Sequence, residues 1–199
     1  ARWAAPSALE AEEDAVGSAP SPLAKIEGLG RYRRGEIIHR LLQLLPDIDP
    51  ARRRSAAERL LAAERDLTDA QRSEMTAAAF GVLEDPRFAA VFGPGSRAEA
   101  SLAGAAAQLP PGMAISGRVD RLVVGPDQVL VVDYKTNRPS PDRIEDADPA
   151  YLSQMAVYAA VLAEVFPGRR IEAAIVWTDG PKLMAVPENV RAAALSRLF

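Results

Sequence analysis

The stretch Gly117-Arg-Val-Asp120-Arg-Leu-Val-Val-Gly-Pro-Asp-Gln-Val-Leu-Val-Val-Asp133-Tyr-Lys135-Thr136 decides how this chain is read. Two β-rich runs, Ala114 to Val124 and Gln128 to Tyr134, are joined by Gly125-Pro126-Asp127, turn residues that predict a hairpin. Asp133 and Lys135 are two apart on the second strand, so their side chains leave on the same face. Asp120 lies on the partner strand, with the turn between. The apolar run Val129 to Val132 leads straight into charge, and a carboxylate and an ammonium at the end of such a strand are costly to leave unpaired.

Two readings of that charge stand side by side. Asp133 and Lys135 as a strand-end ion pair would contribute only about 0–1 kcal/mol. With 13 Asp and 3 Lys in the chain, chance alone supplies an Asp-x-Lys about 0.2 times, so the tripeptide by itself is weak. The chemical reading is a hard-cation site. Two carboxylates at the ends of adjacent strands repel unless a divalent ion lies between them, and Mg²⁺ takes one or two carboxylates while leaving room for water and phosphate oxygens. A lysine beside such an ion can stabilise charge on a scissile phosphate and help orient or deprotonate the attacking water. That chemistry is phosphodiester hydrolysis.

Working outward, the region before the hairpin reads as helical. From Arg31 the run Gly35-Glu-Ile-Ile-His-Arg-Leu-Leu-Gln-Leu-Leu45 puts Ile37, Ile38, Leu41, Leu42, Leu44 and Leu45 on one broad stripe, stopped by Pro46. Further helices are expected over Ala51–Asp66 and from Thr68 to about Glu84, the latter opened by the capping box Thr68-Asp-Ala-Gln71. Pro86 sets a short turn through Phe92, and Gly93-Pro-Gly95 ends the helical part. Arg97–Leu102 then alternates like a strand. After the hairpin, a loop over Pro139–Pro149 leads to a helix over Ala150–Phe166, a buried strand over Ile171–Thr178, an edge strand over Lys182–Val186 and a last helix opened by Pro187. The order predicts a mixed α/β core with helices in front. Residues 1–30, rich in Ala, Ser, Pro and acid, read as a linker or arm with little core to offer. No internal repeat is found.

Composition narrows the classes. A chain of 199 residues makes one domain of ordinary size. Zero cysteines rule out a disulfide scaffold, a thiolate zinc site and a cysteine-held iron–sulfur cluster. The longest apolar run, Met155 to Ala163, is far short of the roughly 20 residues of a membrane span. No signal peptide opens the chain, so secretion is not expected; it starts at Ala1 rather than Met, as a piece of a longer protein would. A net charge of −3 supplies no global field for nucleic acid, so DNA would have to be met in a local groove. Against 38 Ala and 21 Arg stand 3 Lys and one His, which makes the sites of Lys135 and His39 worth attention. A lone His beside an apolar helix stripe can be a satisfied surface residue or a ligand. Tyr151, Gln154 and Tyr158 share one stripe of an otherwise apolar helix, and need either a core network or a substrate strand as partners. Arg31, Arg33 and Arg34 could touch a phosphate backbone, or simply be solvated.

Gly35-x-x-x-His39-Arg-Leu-Leu, Gly117-Arg-Val-Asp120-Arg-Leu, Val132-Asp133-Tyr-Lys135-Thr and Tyr151-x-x-Gln154-x-x-x-Tyr158 occur in that order. Together they resemble the RecB-type nuclease domain of the PD-(D/E)xK superfamily, most closely the nuclease domain at the C-terminal end of bacterial AddA-type helicase–nucleases. The resemblance spans about Arg31 to Val186 and implies a restriction-endonuclease-like fold, a mixed β-sheet core flanked by helices with a helical N-terminal portion. It implies His39, Asp120 and Asp133 as metal ligands, joined by the main-chain carbonyl of Tyr134, with Lys135 as catalytic lysine and Gln154 and Tyr158 as site residues that support the centre and face DNA. Glu99 matches an acidic position of the family. Val119 stands where the superfamily's nominal motif has proline, a departure that RecB-type members tolerate.

The implied activity is a Mg²⁺-dependent deoxyribonuclease (Mn²⁺ as substitute), an exonuclease cutting single strands that a helicase draws from broken duplex ends during recombinational repair. Residues 31–199 would form the nuclease domain of a longer helicase–nuclease in the bacterial cytoplasm, with the helicase portion and an AddB-like subunit as partners and no membrane. AddB-type partners and several other relatives clamp this fold with a four-cysteine iron–sulfur cluster, which this chain cannot hold. No G-x-x-x-x-G-K-[ST] loop is present, so ATP hydrolysis would belong to the parent chain's motor. The rival class is a catalytically silent nuclease fold that docks a partner or guides DNA. Keeping Asp120, Asp133 and Lys135 argues against it, since a silent module has no use for so costly a cluster.

Overall fold

The computed structural model describes residues 2–4 and 31–199. Helices α1 (Arg31–Leu44), α2 (Pro50–Ala62) and α3 (Asp69–Leu83) come first, apart from a three-residue strand β1 (Arg2–Ala4). Strands β2 (Ser96–Gly104), β3 (Met113–Val124) and β4 (Gln128–Lys135) follow, then α4 (Pro149–Val165), β5 (Arg170–Trp177), β6 (Lys182–Ala185) and α5 (Glu188–Leu198). The expected α/β architecture is therefore the observed one.

Local chemistry sets most of the boundaries. Asp49 and Asp148 cap α2 and α4, each accepting from the main-chain N–H two residues on at 2.9 Å, with proline in the first turn where no N–H is missed. At α3 both halves of the Thr68/Gln71 capping box form. The expected second helix is shorter than its periodicity suggested: it ends at Ala62 instead of Asp66, because Arg72 reaches back from α3 to the carbonyls of Leu61 and Glu64 and turns the chain there. Part of the expected arm also joins the fold. Residues 2–4 form a strand parallel to the start of β3, while residues 1 and 5–30 lie outside those described.

The sheet has six strands. Along β1-β3-β4-β5-β6, β4 and β5 are parallel, β3–β4 and β5–β6 antiparallel, and β2 runs antiparallel along most of β3. Alternation divides the core in two. Val129, Val131, Ala173, Ile175 and Trp177 face α4, which is buried almost all round from Leu152 to Leu162, as expected of a helix apolar on every side. Val132, Tyr134 and Val176 face the opposite way, into a second core with Ile38, Leu41 and Leu42 of α1, Leu61 of α2 and Met75 and Phe80 of α3.

One strand breaks its own alternation. Ile115 and Val119 of β3 face the α4 side, but so do Leu122 and Val124, so the inward phase shifts by one residue in between. Opposite this point the β2–β3 ladder pairs Ala98 with Arg121 and Ala100 with Val119, and skips Glu99, the one described non-glycine residue with positive φ (51°). No residue is inserted, since the register is the same on either side; a strained residue instead faces a single unpaired one, and this one-for-one break in the ladder re-aims side chains. The residues it re-aims are Asp120 and Arg121.

Candidate metal and nuclease site

The β3–β4 ladder runs from Val124↔Val129 to Arg121↔Val132 and stops. The next pair in that register would be Asp120 and Asp133, so the two carboxylates meet where the strands part. With its main-chain partner gone, the N–H of Tyr134 donates instead to Asp120 Oδ2 at 2.7 Å. A strand residue's N–H and C=O leave on the same edge, so the Tyr134 carbonyl points to this opening too. The neighbouring Lys135 carbonyl faces the other edge and accepts from Thr178 N–H at 3.0 Å.

His39 arrives from the other core. Its Nδ1 is 3.4 Å from Asp120 Oδ1, and its ring stands edge-on to Tyr134, with centroids 5.8 Å apart. The imidazole thus faces the carboxylates despite eighty residues of separation. Gly35 makes this approach possible: a Cβ there would meet Thr136 Oγ1 at 3.0 Å, and Arg34 Nη1 donates to the Thr136 carbonyl at 3.1 Å. Helix α1 is therefore seated against the chain that leaves β4.

Lys135 lies on the same face as Asp133, as the two-residue spacing requires. Its Nζ is 3.0 Å from Asp133 Oδ2, donates to Gln154 Oε1 at 3.3 Å and lies 3.9 Å from the centre of the Tyr151 ring. The Tyr/Gln stripe of α4 thus forms a network around the lysine. The Tyr158 hydroxyl donates to the Arg118 carbonyl at 3.0 Å and accepts a long 3.5 Å contact from Gln154 Nε2. Asn137 Nδ2 donates to the Tyr151 hydroxyl at 2.7 Å, and Trp177 packs 6.0 Å from the Tyr151 ring.

Electrostatics separate the two carboxyls. Burial raises Asp133, Lys135 pulls it down and the Asp120 charge raises it again, leaving it at about 6. Burial raises Asp120 as well, but His39, the Tyr134 N–H and Lys135 outweigh that and hold it below its ordinary value. For His39, burial pulls down, while contact with Asp120 and the charges of Asp120 and Asp133 prevail and raise it. Tyr158 is pushed up to about 12, by burial first and the Asp133 charge second, so it remains a neutral donor.

Among the described residues no three His, Asp or Glu side chains are already gathered as a cage: His39 engages Asp120, and Lys135 engages Asp133. The donor set nonetheless fits a hard divalent cation. Two carboxylates, an imidazole and a carbonyl aimed at one opening suit Mg²⁺ or Mn²⁺. Asp133 Oδ2 is buried, with the Lys135 ammonium 3.0 Å away.

Arg34 is 16% exposed and engaged with Glu74 Oε1 at 2.6 Å, so it anchors α1 to α3, and Arg33 pairs with Glu64. The side chain of Arg31 lies outside the described residues. Glu99, across β2 from Asp120, has Arg118 at 3.4 Å. Sequence reasoning missed Asn137, Trp177 and Arg121. Only Arg121 left a trace, as a charge inside a strand motif.

A model of the PD-(D/E)XK nuclease superfamily matches residues 8–197. No curated protein matches the chain at a significant level. Among solved structures, one described as "Crystal structure of SSO0001" is similar at 15% identity, with 81% of this chain and 71% of that one covered and a TM-score of 0.38; a likeness at that level bears on neither fold nor site.

Proposed function

This chain belongs to the PD-(D/E)XK nuclease superfamily, and from that premise we propose that it is a divalent-metal-dependent deoxyribonuclease acting on single strands. The observation that carries the proposal is the opening of the β3–β4 ladder at Asp120 and Asp133, with the Lys135 ammonium held between Asp133 and Gln154.

His39, Asp120, Asp133 and the Tyr134 carbonyl would hold Mg²⁺ or Mn²⁺. When bound, such an ion supplies an acidified water and a counter-charge for the scissile phosphate. The chain's own residues do the rest. The Asp120 side chain, fixed by Tyr134 N–H, keeps the two strands apart and the opening free for a phosphate. Lys135 presents an ammonium to the oxygen that attacks or to the oxygens that gain charge. Gln154 and Tyr151 hold that ammonium, and Tyr158, anchored on the Arg118 carbonyl, braces Gln154.

The finer reading is an exonuclease domain of the AddA type. It would work on strands delivered by the helicase portion of a longer chain beside an AddB-like subunit, in recombinational repair of broken ends. The ordered motif set and the absence of cysteine support it. The test is cleavage of end-labelled single-stranded DNA by the full chain with Mg²⁺ and with EDTA, using Asp133→Ala as control. Shortening that needs both the metal and Asp133 supports the nuclease. Metal binding without any cleavage would move the reading to a silent docking module.

A further inference from the structure

Arg121 is a buried cation without an anion. It is 1% exposed, and among the described residues no carboxylate lies within ion-pair range of it. A charge in that position costs several kcal/mol unless its hydrogen-bonding capacity is met. The guanidinium meets it by joining four separate parts of the fold. Nε donates to the Tyr134 hydroxyl at 3.1 Å, Nη1 to Ser96 Oγ at 2.9 Å and Nη2 to the Leu42 carbonyl at 2.9 Å, with the Gln43 carbonyl at 3.5 Å. The Phe92 ring lies 5.1 Å away. Ser96 passes the contact on, donating to the Val91 carbonyl at 2.7 Å.

The counter-charge comes from a helix. Leu42 and Gln43 stand in the last turn of α1, whose terminal carbonyls lack partners within the helix and form its negative end. They are also three and four residues beyond His39, on the same side of the helix and one turn further along. The other end of the fork grips Tyr134, whose ring supports the His39 imidazole edge-on and whose N–H fixes Asp120. Arg121 itself follows Asp120, at the place where β3 shifts phase. The residues that Arg121 grips therefore flank the 3.4 Å contact of His39 with Asp120.

We propose that Arg121 is a positioning residue for the metal site: its guanidinium ties the last turn of α1 and the Tyr134 hydroxyl to β3, so that His39 meets Asp120. This rests on the proposed site of His39, Asp120 and Asp133. A lysine would keep the charge but could not span three acceptors as the planar fork does.

His39 is the only histidine of the chain, so its imidazole gives a single, unambiguous NMR signal in the metal-free full chain at fixed pH. In Arg121→Lys that signal moves away from its position in the parent and toward that of Asp120→Asn. Mn²⁺ affinity, read by titration, falls by about 10–100-fold, the range for residues that orient metal ligands. In a His39→Ala background the same arginine change costs less than about 2-fold, because the arm it positions is gone. A folded Arg121→Lys protein with the parent's His39 signal overturns the proposal, as does an equal loss of affinity in both backgrounds, which marks a merely stabilising arginine. If His39→Ala leaves Mn²⁺ affinity unchanged, the metal assignment fails, and the His39 signal alone then decides for or against positioning. Should Arg121→Lys not fold, Tyr134→Phe removes one acceptor of the fork and is judged by the same movement of the signal.

Discussion

Replacing Lys135 by methionine separates chemistry from binding. The change removes an ammonium 3.0 Å from Asp133 Oδ2 and 3.3 Å from Gln154 Oε1. At 3.0 Å and an effective dielectric of ~20 the Asp133–Lys135 attraction is on the order of 5 kcal/mol before desolvation is subtracted. A buried carboxylate stripped of its partner does not stay charged at that cost; it takes up a proton. Asp133 is already raised to about 6, with burial the main cause and Lys135 the principal pull downward, so losing Lys135 pushes it higher. That weakens binding of a cation. The same change removes a positive charge from beside the incoming cation, which strengthens binding. The two effects oppose each other, so at pH 8 the Mn²⁺ affinity of Lys135→Met stays within about tenfold of the parent. Single-turnover cleavage of a short single-stranded oligonucleotide behaves otherwise: it slows by about 10²–10³-fold, about 2.7–4 kcal/mol, as for one lost transition-state donor. A variant that cuts at the parental rate would refute the reasoning, and Asp133 and Lys135 would be an ordinary strand-end pair. A collapse of metal affinity that accounts for the whole loss of rate would refute it too.

Asp133→Ala should abolish both metal binding and cleavage, seen in the same titration and assay, since it removes one of the two carboxylates of the proposed site. Thr68→Ala deletes one arm of the α3 capping box and should cost about 1 kcal/mol, lowering Tm by roughly 2–4 °C, with cleavage unchanged. Glu74, which links Arg34 of α1 with Arg138 beyond β4, is held below its ordinary carboxyl value of 4.5, first by its hydrogen bond to Arg34. Because the folded value lies below the unfolded one, the stabilisation is present at neutral pH and is lost as pH falls through the folded value. Glu74→Gln should therefore lower stability at pH 7 by no more than ~1 kcal/mol, given a side chain 37% exposed. The thermal unfolding midpoints of parent and variant should converge once pH drops below the ordinary carboxylate range.

Much of the architecture was legible because it is local. The 3.6-residue stripe from Ile37 to Leu45, the Thr68 box, the Gly-Pro-Asp turn and the two-residue step from Asp133 to Lys135 all follow from backbone period and turn chemistry. The boundaries that slipped were set by contacts made later in the chain, as where Arg72 closes the turn after α2. The partner of Arg34 was hidden for the same reason. Its charge is plain in the sequence, but Glu74, which it engages, lies forty residues away.

The sequence by itself determined which groups are available for chemistry. It supplies two aspartates, a lysine and one histidine in motif order, no cysteine, and strands that must place Asp133 and Lys135 on one face. Tertiary structure alone decided that these groups converge. A hairpin pattern predicts that Asp120 and Asp133 lie on neighbouring strands, but not that the ladder opens between them, where Asp120 also faces the positive-φ Glu99 of a different strand pair. Periodicity places His39 beside an apolar stripe without saying what it faces. That is settled by the seat Gly35 leaves for Thr136 and by the grip of Arg121 on the end of α1, contacts between residues up to about a hundred positions apart. Residue type and spacing define what a side chain can do; burial and long-range packing define what it meets, and no local pattern carries that information.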